Sequence, residues 1–296
     1  MTTGVLLMAY GSPESASDVR AYLGDIRAGR PVSDDAVDEL TERYQRIGMP
    51  SPLLRLTRAQ ARALRAALGG GFVVEIGMKH WHPRIADGVE RLLAAGVEEI
   101  VGIAAAPHHS RISIGGYEQR LRDALAGRAA LRMVASWHDE PAFIKLVAGN
   151  VADALDGDDI AGTRVFFTAH SLPERITQEG DPYVEQLRAS ASAVARASNV
   201  SDWELAFQSA SATGEPWLGP DLLERLDAAA DDAVPRALVV PIGFVADHLE
   251  ILYDVDIQAA DRAKQLGITM RRVRSPNDDA LLAEAMASAV LRELAR

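Results

Sequence analysis

Two decapeptides separated by a constant offset of 160 positions carry one pattern. Val5–Glu14 reads VLLMAYGSPE and Val165–Glu174 reads VFFTAHSLPE. Each is an apolar run, then Ala, one ring-bearing polar residue (Tyr10 or His170), two further residues, Pro and Glu. An apolar run broken by Gly or Ser and then Pro reads as a buried strand ending in a turn. In open parallel sheets, ligands bind just beyond the carboxyl ends of the strands. The repeat therefore predicts two similar α/β lobes, each setting one coordinating side chain at its ligand edge, with a molecule held in the cleft between them.

The rest of the chain follows that rhythm. Strands are predicted at Val5–Ala9, Phe72–Ile76, Ile100–Ala105 and Leu131–Ala135, then at Arg164–Thr168, Glu204–Phe207, Ala237–Val240 and Thr269–Val273. Amphipathic stretches such as Pro83–Ala95, Tyr183–Ala197 and Asp278–Leu294 lie between or after them. Strands alternating with helices argue for two parallel sheets joined by right-handed crossovers. The expected division is an N-terminal Rossmann-like lobe over 1–140 and a C-terminal one over 141–296. The lobe boundary is placed near Trp137–Pro141, followed by a bridging helix. A second, fainter echo supports the duplication: IAAAPHH at Ile103–His109 and ALVVPIGF at Ala237–Phe244 both end an apolar run on Pro.

Composition narrows the chemistry. There is no cysteine in 296 residues, which removes disulfides, zinc–thiolate sites, iron–sulfur clusters and thiol catalysis. Any metal must bind through His, carboxylate or Tyr. The net charge of −11 disfavours nucleic acid or an anionic membrane as main partner. No apolar stretch approaches membrane-spanning length and no leader precedes the first strand, so a cytoplasmic protein is expected. Gly69–Gly71 and Gly115–Gly116 lack the spacing of a phosphate-cradling loop.

The second lobe has the denser constellation. In PIGFVADHLEILYDVD, the segment from Ala246 reads as helical, with Glu250 and Asp254 four apart on one face and Gln258 continuing the stripe. Repelling carboxylates at that spacing suit a path for cations or protons, although a solvated helix face is the bland alternative. His170 alone would be a satisfied turn histidine. Beside Glu250 it becomes a donor pair suited to ferrous iron or to proton transfer near neutral pH. The first lobe contributes Arg27, Arg30, Arg43 and Arg46 with Tyr22 and Tyr44, clamps for an acid-bearing ligand where they are not plain helix-surface charge. Tyr117 reads as either ligand contact or helix surface, and His80, His82, His108 and His109 stay ambiguous.

These segments resemble the ferrochelatase family over almost the whole chain: LLMAYGSP, RYQRIGMPSPL, EIGMKHWHP, APHHS, TAHSLPE, GDPY, FQS, EPWLGPD and GFVADHLEILYD occur in that order. The resemblance implies two Rossmann-like lobes and insertion of Fe2+ into a porphyrin in haem biosynthesis. Tyr10 within MAYG is similar to the coproporphyrin III branch, where this tyrosine is the axial ligand to product iron. By the same resemblance His170 and Glu250 bind iron and carry catalysis, while Arg27, Arg43, Tyr44, Ser51 and Tyr117 contact the tetrapyrrole. It implies no permanent cofactor, with Fe2+ and coproporphyrin III as substrates. A monomer is expected, with transient contact to neighbouring haem-pathway enzymes. Two departures stand out: Gln258 replaces a carboxylate of several relatives, and cysteine-held iron–sulfur clusters of some members have no counterpart. Rival readings are a protoporphyrin IX ferrochelatase, a cobalt or nickel chelatase for a more reduced tetrapyrrole, and a non-enzymatic haem carrier using Tyr10.

Overall fold

A computed structural model describes residues 2–155, 162–211 and 214–296. Among the described residues, eight strands form two sheets of four. The first contains β1 (Thr3–Ala9), β2 (Phe72–Met78), β3 (Glu99–Ala104) and β4 (Ala130–Val134), in the order β2-β1-β3-β4. The second contains β5 (Thr163–His170), β6 (Trp203–Gln208), β7 (Arg236–Val240) and β8 (Thr269–Arg272), in the order β6-β5-β7-β8. Every pairing is parallel. The two orders are the same motif, so β1 and β5 are topological equivalents. The repeated decapeptides are thus the strands at which each sheet's winding reverses, where the flanking crossovers diverge and leave a crevice.

The apolar runs are continuous because both faces of each sheet are covered. Val5 to Met8 and Val165 to Phe167 are almost wholly buried. The covering helices are α1 (Val19–Ile26), α2 (Asp34–Ile47), α3 (Leu53–Leu68), α4 (Ile85–Ala94), α5 (Ile114–Leu125), α6 (Pro141–Ala154), α7 (Arg175–Gln178), α8 (Tyr183–Ala197), α9 (Leu222–Asp231), α10 (Ala260–Gln265) and α11 (Ala280–Leu294). A π-helix over Glu250–Ala259 runs directly into α10. Capping residues start several of these helices: Ser33 accepts from Ala36 N–H, Asp221 from Leu223 and Asp279 from Leu281.

The lobes share one core. Val5, Leu7, Trp137, Phe143, Phe167, Leu282 and Met286 belong to a single buried cluster. The helix after the expected boundary, α6, packs on α8 and α11. It is α11 that lies across α3 and against β3 and β4 of the first sheet. Its buried residues are Leu282, Ala283, Ala285, Met286, Ala287, Ala289 and Val290, and the alanines permit a close approach. Side chains stitch the same junction: Gln60 Nε2 donates to Asn277 O at 2.7 Å and to Val245 O at 3.3 Å. On the other side Asp181 accepts from Arg111 N–H at 2.8 Å and from Ser110 Oγ at 3.1 Å.

Candidate active site

The first buried repeat strand ends at Ala9, delivering Tyr10; the second ends on His170 itself. Both side chains face one cleft. Its enclosed end, about 900 Å3, is lined by Tyr10, Tyr117, His170, Tyr183, His248 and Glu250 among others. Its wider end, about 1930 Å3, shares Tyr10, His170, His248 and Glu250 and adds Arg27, Arg30, Arg43, Tyr44 and Asp254. Two glycines let the walls close up. Gly243 sits so near β5 that a Cβ would lie 2.6 Å from the Ala169 Cβ. Gly11 has φ of +95°, where a Cβ would meet Trp81 N at 2.9 Å.

His170 Nδ1 and Glu250 Oε2 are 2.8 Å apart. Tyr183 Oη donates to the His170 carbonyl at 3.0 Å and Gln208 Nε2 to the Glu250 carbonyl at 2.8 Å, fixing both backbones. Burial disfavours charge on Glu250, yet the adjacent imidazolium and its hydrogen bond prevail and hold the carboxyl down at about 2. Burial likewise opposes charge on His170, but the Glu250 charge and hydrogen bond, helped by Asp254, raise its pKa. Glu250 is therefore a carboxylate, and His170 keeps its proton to higher pH than an ordinary imidazole. With Nδ1 engaged by Glu250, Nε2 is the nitrogen left to meet a ligand.

Asp254 behaves oppositely. Burial and the neighbouring Glu250 charge push it up to about 6, although Ser209 Oγ donates to it. It is 8% exposed whereas Gln258 is exposed. The expected stripe of three therefore divides: Glu250 and Asp254 face the cleft and Gln258 turns to solvent. The expected helix from Ala246 begins instead at Leu249 and winds as a π-helix from Glu250, with 244–248 irregular.

Across the cleft Tyr10 is 39% exposed and packs on His80, ring centroids 4.6 Å apart. Enclosure in the cleft, then the Glu250 and Asp25 carboxylates, push its phenol well above the ordinary tyrosine value. His80 is a neutral support: burial lowers it to about 4 despite the Asp25 carboxylate 2.8 Å away. Asp25 also takes Arg84 at 2.9 Å and Arg120 at 3.0 Å. Lys79, lowered by burial to about 8, lies 4.9 Å from the centroid of the Tyr117 ring.

Of the expected tetrapyrrole contacts, Tyr117 is buried at the enclosed end, and Arg27, Arg43 and Tyr44 line the wide end. Arg43 is partly engaged, 2.6 Å from Glu39 and over the Tyr253 ring of the other lobe at 5.1 Å. Arg27 and Arg30 have no carboxylate within ion-pair distance among the described residues, so both are available to an acid. Ser51 lies outside the main cleft, in a side groove that meets it at Ser12. Sequence reasoning left Lys79 and His80 unassigned and passed over Asp25 and Ser209. For the first two a signal existed: they follow β2, the strand paired with β1, at the same sheet edge as Tyr10.

A family model described as Ferrochelatase matches residues 2–294. The chain belongs to the ferrochelatase family. It is 40% identical to a ferrochelatase of Herpetosiphon aurantiacus, across 97% of this chain and 98% of the relative. It is 39% identical to a coproporphyrin III ferrochelatase of Geobacillus thermodenitrificans, across 100% and 97%. Among solved structures, SirB from Bacillus subtilis with Fe3+ superposes with a TM-score of 0.61 at 12% identity, over 99% of this chain and 96% of that one. CbiX, described as the terminal enzyme of sirohaem biosynthesis in denitrifying bacteria, gives 0.60 at 16% over 98% of each. These two likenesses concern the bilobal chelatase fold alone.

Proposed function

We propose that this enzyme inserts Fe2+ into coproporphyrin III, giving the iron coproporphyrin of haem biosynthesis. The observation that carries the reading is Tyr10 facing the His170–Glu250 pair across one cleft, a phenol ligand on one wall and a proton-handling pair on the other. Insertion requires loss of two pyrrole protons and of the water around Fe2+. His170, in its neutral form, accepts a pyrrole proton through Nε2, and Glu250 steadies the charge that results. Asp254, poised near pH 6 next to Glu250, is the next acceptor toward the wide end. Tyr10 ligates the inserted iron after losing its phenolic proton, a loss that the metal's charge favours. Arg27 and Arg30 hold propionates at the wide end, and their planar forks suit carboxylates.

The experiment is anaerobic Fe2+ insertion measured side by side with coproporphyrin III and protoporphyrin IX. The proposal expects a clear preference for coproporphyrin III, and a preference for protoporphyrin IX refutes the branch. His170→Ala should abolish insertion while porphyrin still binds; tight haem binding with no metalation by the unaltered chain would support the carrier reading instead. We further propose that the chain works in the cytoplasm with no resident cofactor. No helix among the described residues is long and apolar enough to cross a membrane.

A further inference from the structure

One face of α3 carries a charge pattern that the cleft chemistry does not use. Arg55, Arg58, Arg62 and Arg65 recur at three- and four-residue steps, so they form one row on the helix, about 15 Å long at ~1.5 Å per residue. All four are exposed. Many arginines of this chain are tied to carboxylates, as in Arg91–Glu75, Arg128–Glu90 and Arg262–Asp227. The four of α3 have no such partner among the described residues. Like charges at these spacings weaken a helix, so an unrelieved row in a chain of net charge −11 calls for a physical role.

Its position suggests one. The row borders a groove of about 610 Å3 lined by Ser12, Ser51, Arg55, Arg58 and Arg62, with Glu14 as its acidic member. Ser12 also lines the wide end of the main cleft, so the groove adjoins the cleft mouth. A porphyrin bearing four propionates is repelled at long range by so acidic a protein. It must also pass Glu39, Glu250 and Asp254, all lining the wide end. A row of guanidiniums reverses that field locally, within a screening length of about 8 Å at physiological salt.

We propose that the arginine face of α3 is an electrostatic capture surface that draws the polycarboxylate tetrapyrrole to the cleft mouth. The proposal rests on the porphyrin reading given above. An anionic bilayer suits the face less well, because the exposed large apolar residues Tyr10, Ile112 and Leu291 are not on α3 to anchor it.

The test is stopped-flow binding of coproporphyrin III to the unaltered protein and to the triple variant R58Q/R62Q/R65Q, with no iron present. Glutamine keeps helix propensity, and circular dichroism checks the fold. At low salt the variant should associate about tenfold more slowly, the lower end of electrostatic steering. The difference should shrink as salt rises. Dissociation, and Fe2+ insertion from the preloaded complex, should be unchanged. A porphyrin with its carboxylates esterified should not distinguish the two proteins. Equal association rates at low salt overturn the proposal, as does an equal loss with the esterified porphyrin. Arginine-dependent binding to phosphatidylglycerol vesicles with unchanged porphyrin association assigns the face to a membrane and overturns it too. Failure of the unaltered protein to bind any porphyrin removes the functional reading itself, a result distinct from binding with a salt-insensitive rate.

Discussion

Replacing Glu250 with Gln should move the acidic limb of the pH–rate profile downward, a direction that only the charge on Glu250 dictates. In the intact pair His170 is held above its ordinary value: burial works against its charge, while Glu250 and, more weakly, Asp254 work for it. Without the Glu250 charge, burial is opposed by Asp254 alone and the imidazole falls below 6.5, its unperturbed value. His170 accepts a proton only when neutral, so the limb of kcat/KM follows its pKa. The plateau should fall as well, by about 100-fold or more, since the partner that stabilises the transferred proton is lost. Anaerobic Fe2+ insertion followed across about pH 5 to 9 reads both quantities, and imidazole proton resonances report the pKa directly. A limb that stays in place or moves upward in the variant refutes the assignment of His170 and Glu250 as one proton-handling unit.

The same pair should leave a signature in stability. Glu250 is depressed from 4.5 to about 2 and His170 is raised above 6.5, so their joint contribution is full between about 4.5 and 6.5. It is lost as pH falls through about 2 and as pH rises through the elevated histidine value; comparing denaturant midpoints of the unaltered protein and H170A/E250A over pH checks this. Tyr10→Phe should retain insertion but change the absorption spectrum of the iron product complex, and an unchanged spectrum would remove Tyr10 as ligand. Gly243→Ala should lower stability by about 1–3 kcal/mol through overpacking, because its Cβ would sit 2.6 Å from that of Ala169; calorimetry of the variant reads the loss. Gln60→Ala, which removes two interlobe hydrogen bonds, should destabilise by about 1–3 kcal/mol in urea.

Much of the architecture was legible because it is written in local patterns. The strands at Val5, Phe72, Arg164 and Ala237 are β-rich runs bounded by breakers, and each formed within a few residues of its expected place. The shared order of the two sheets follows from the same repeat that aligns Tyr10 with His170. The π-helix was not legible. Nothing in EILYDVDIQA separates a π-wound segment from an α-wound one, and its residues are ordinary helix formers. The Asp25 cluster escaped for another reason: Asp25, His80, Arg84 and Arg120 are scattered over 95 positions and meet only after the first lobe has closed. Lobe membership of α11 is likewise a tertiary fact, since an alanine-rich amphipathic helix does not say which surface it will cover.

The placement of α11 bears on how the chain is made. During synthesis the sheet β2-β1-β3-β4 emerges first, yet the helix that covers α3, β3 and β4 follows all eight strands. The nascent first lobe must therefore expose the surface later covered by α11 while the second lobe is still being translated. Such a chain does not mature one lobe at a time. Its α11 acts as a latch, closing the first lobe's surface only after the strands of the second lobe have been made.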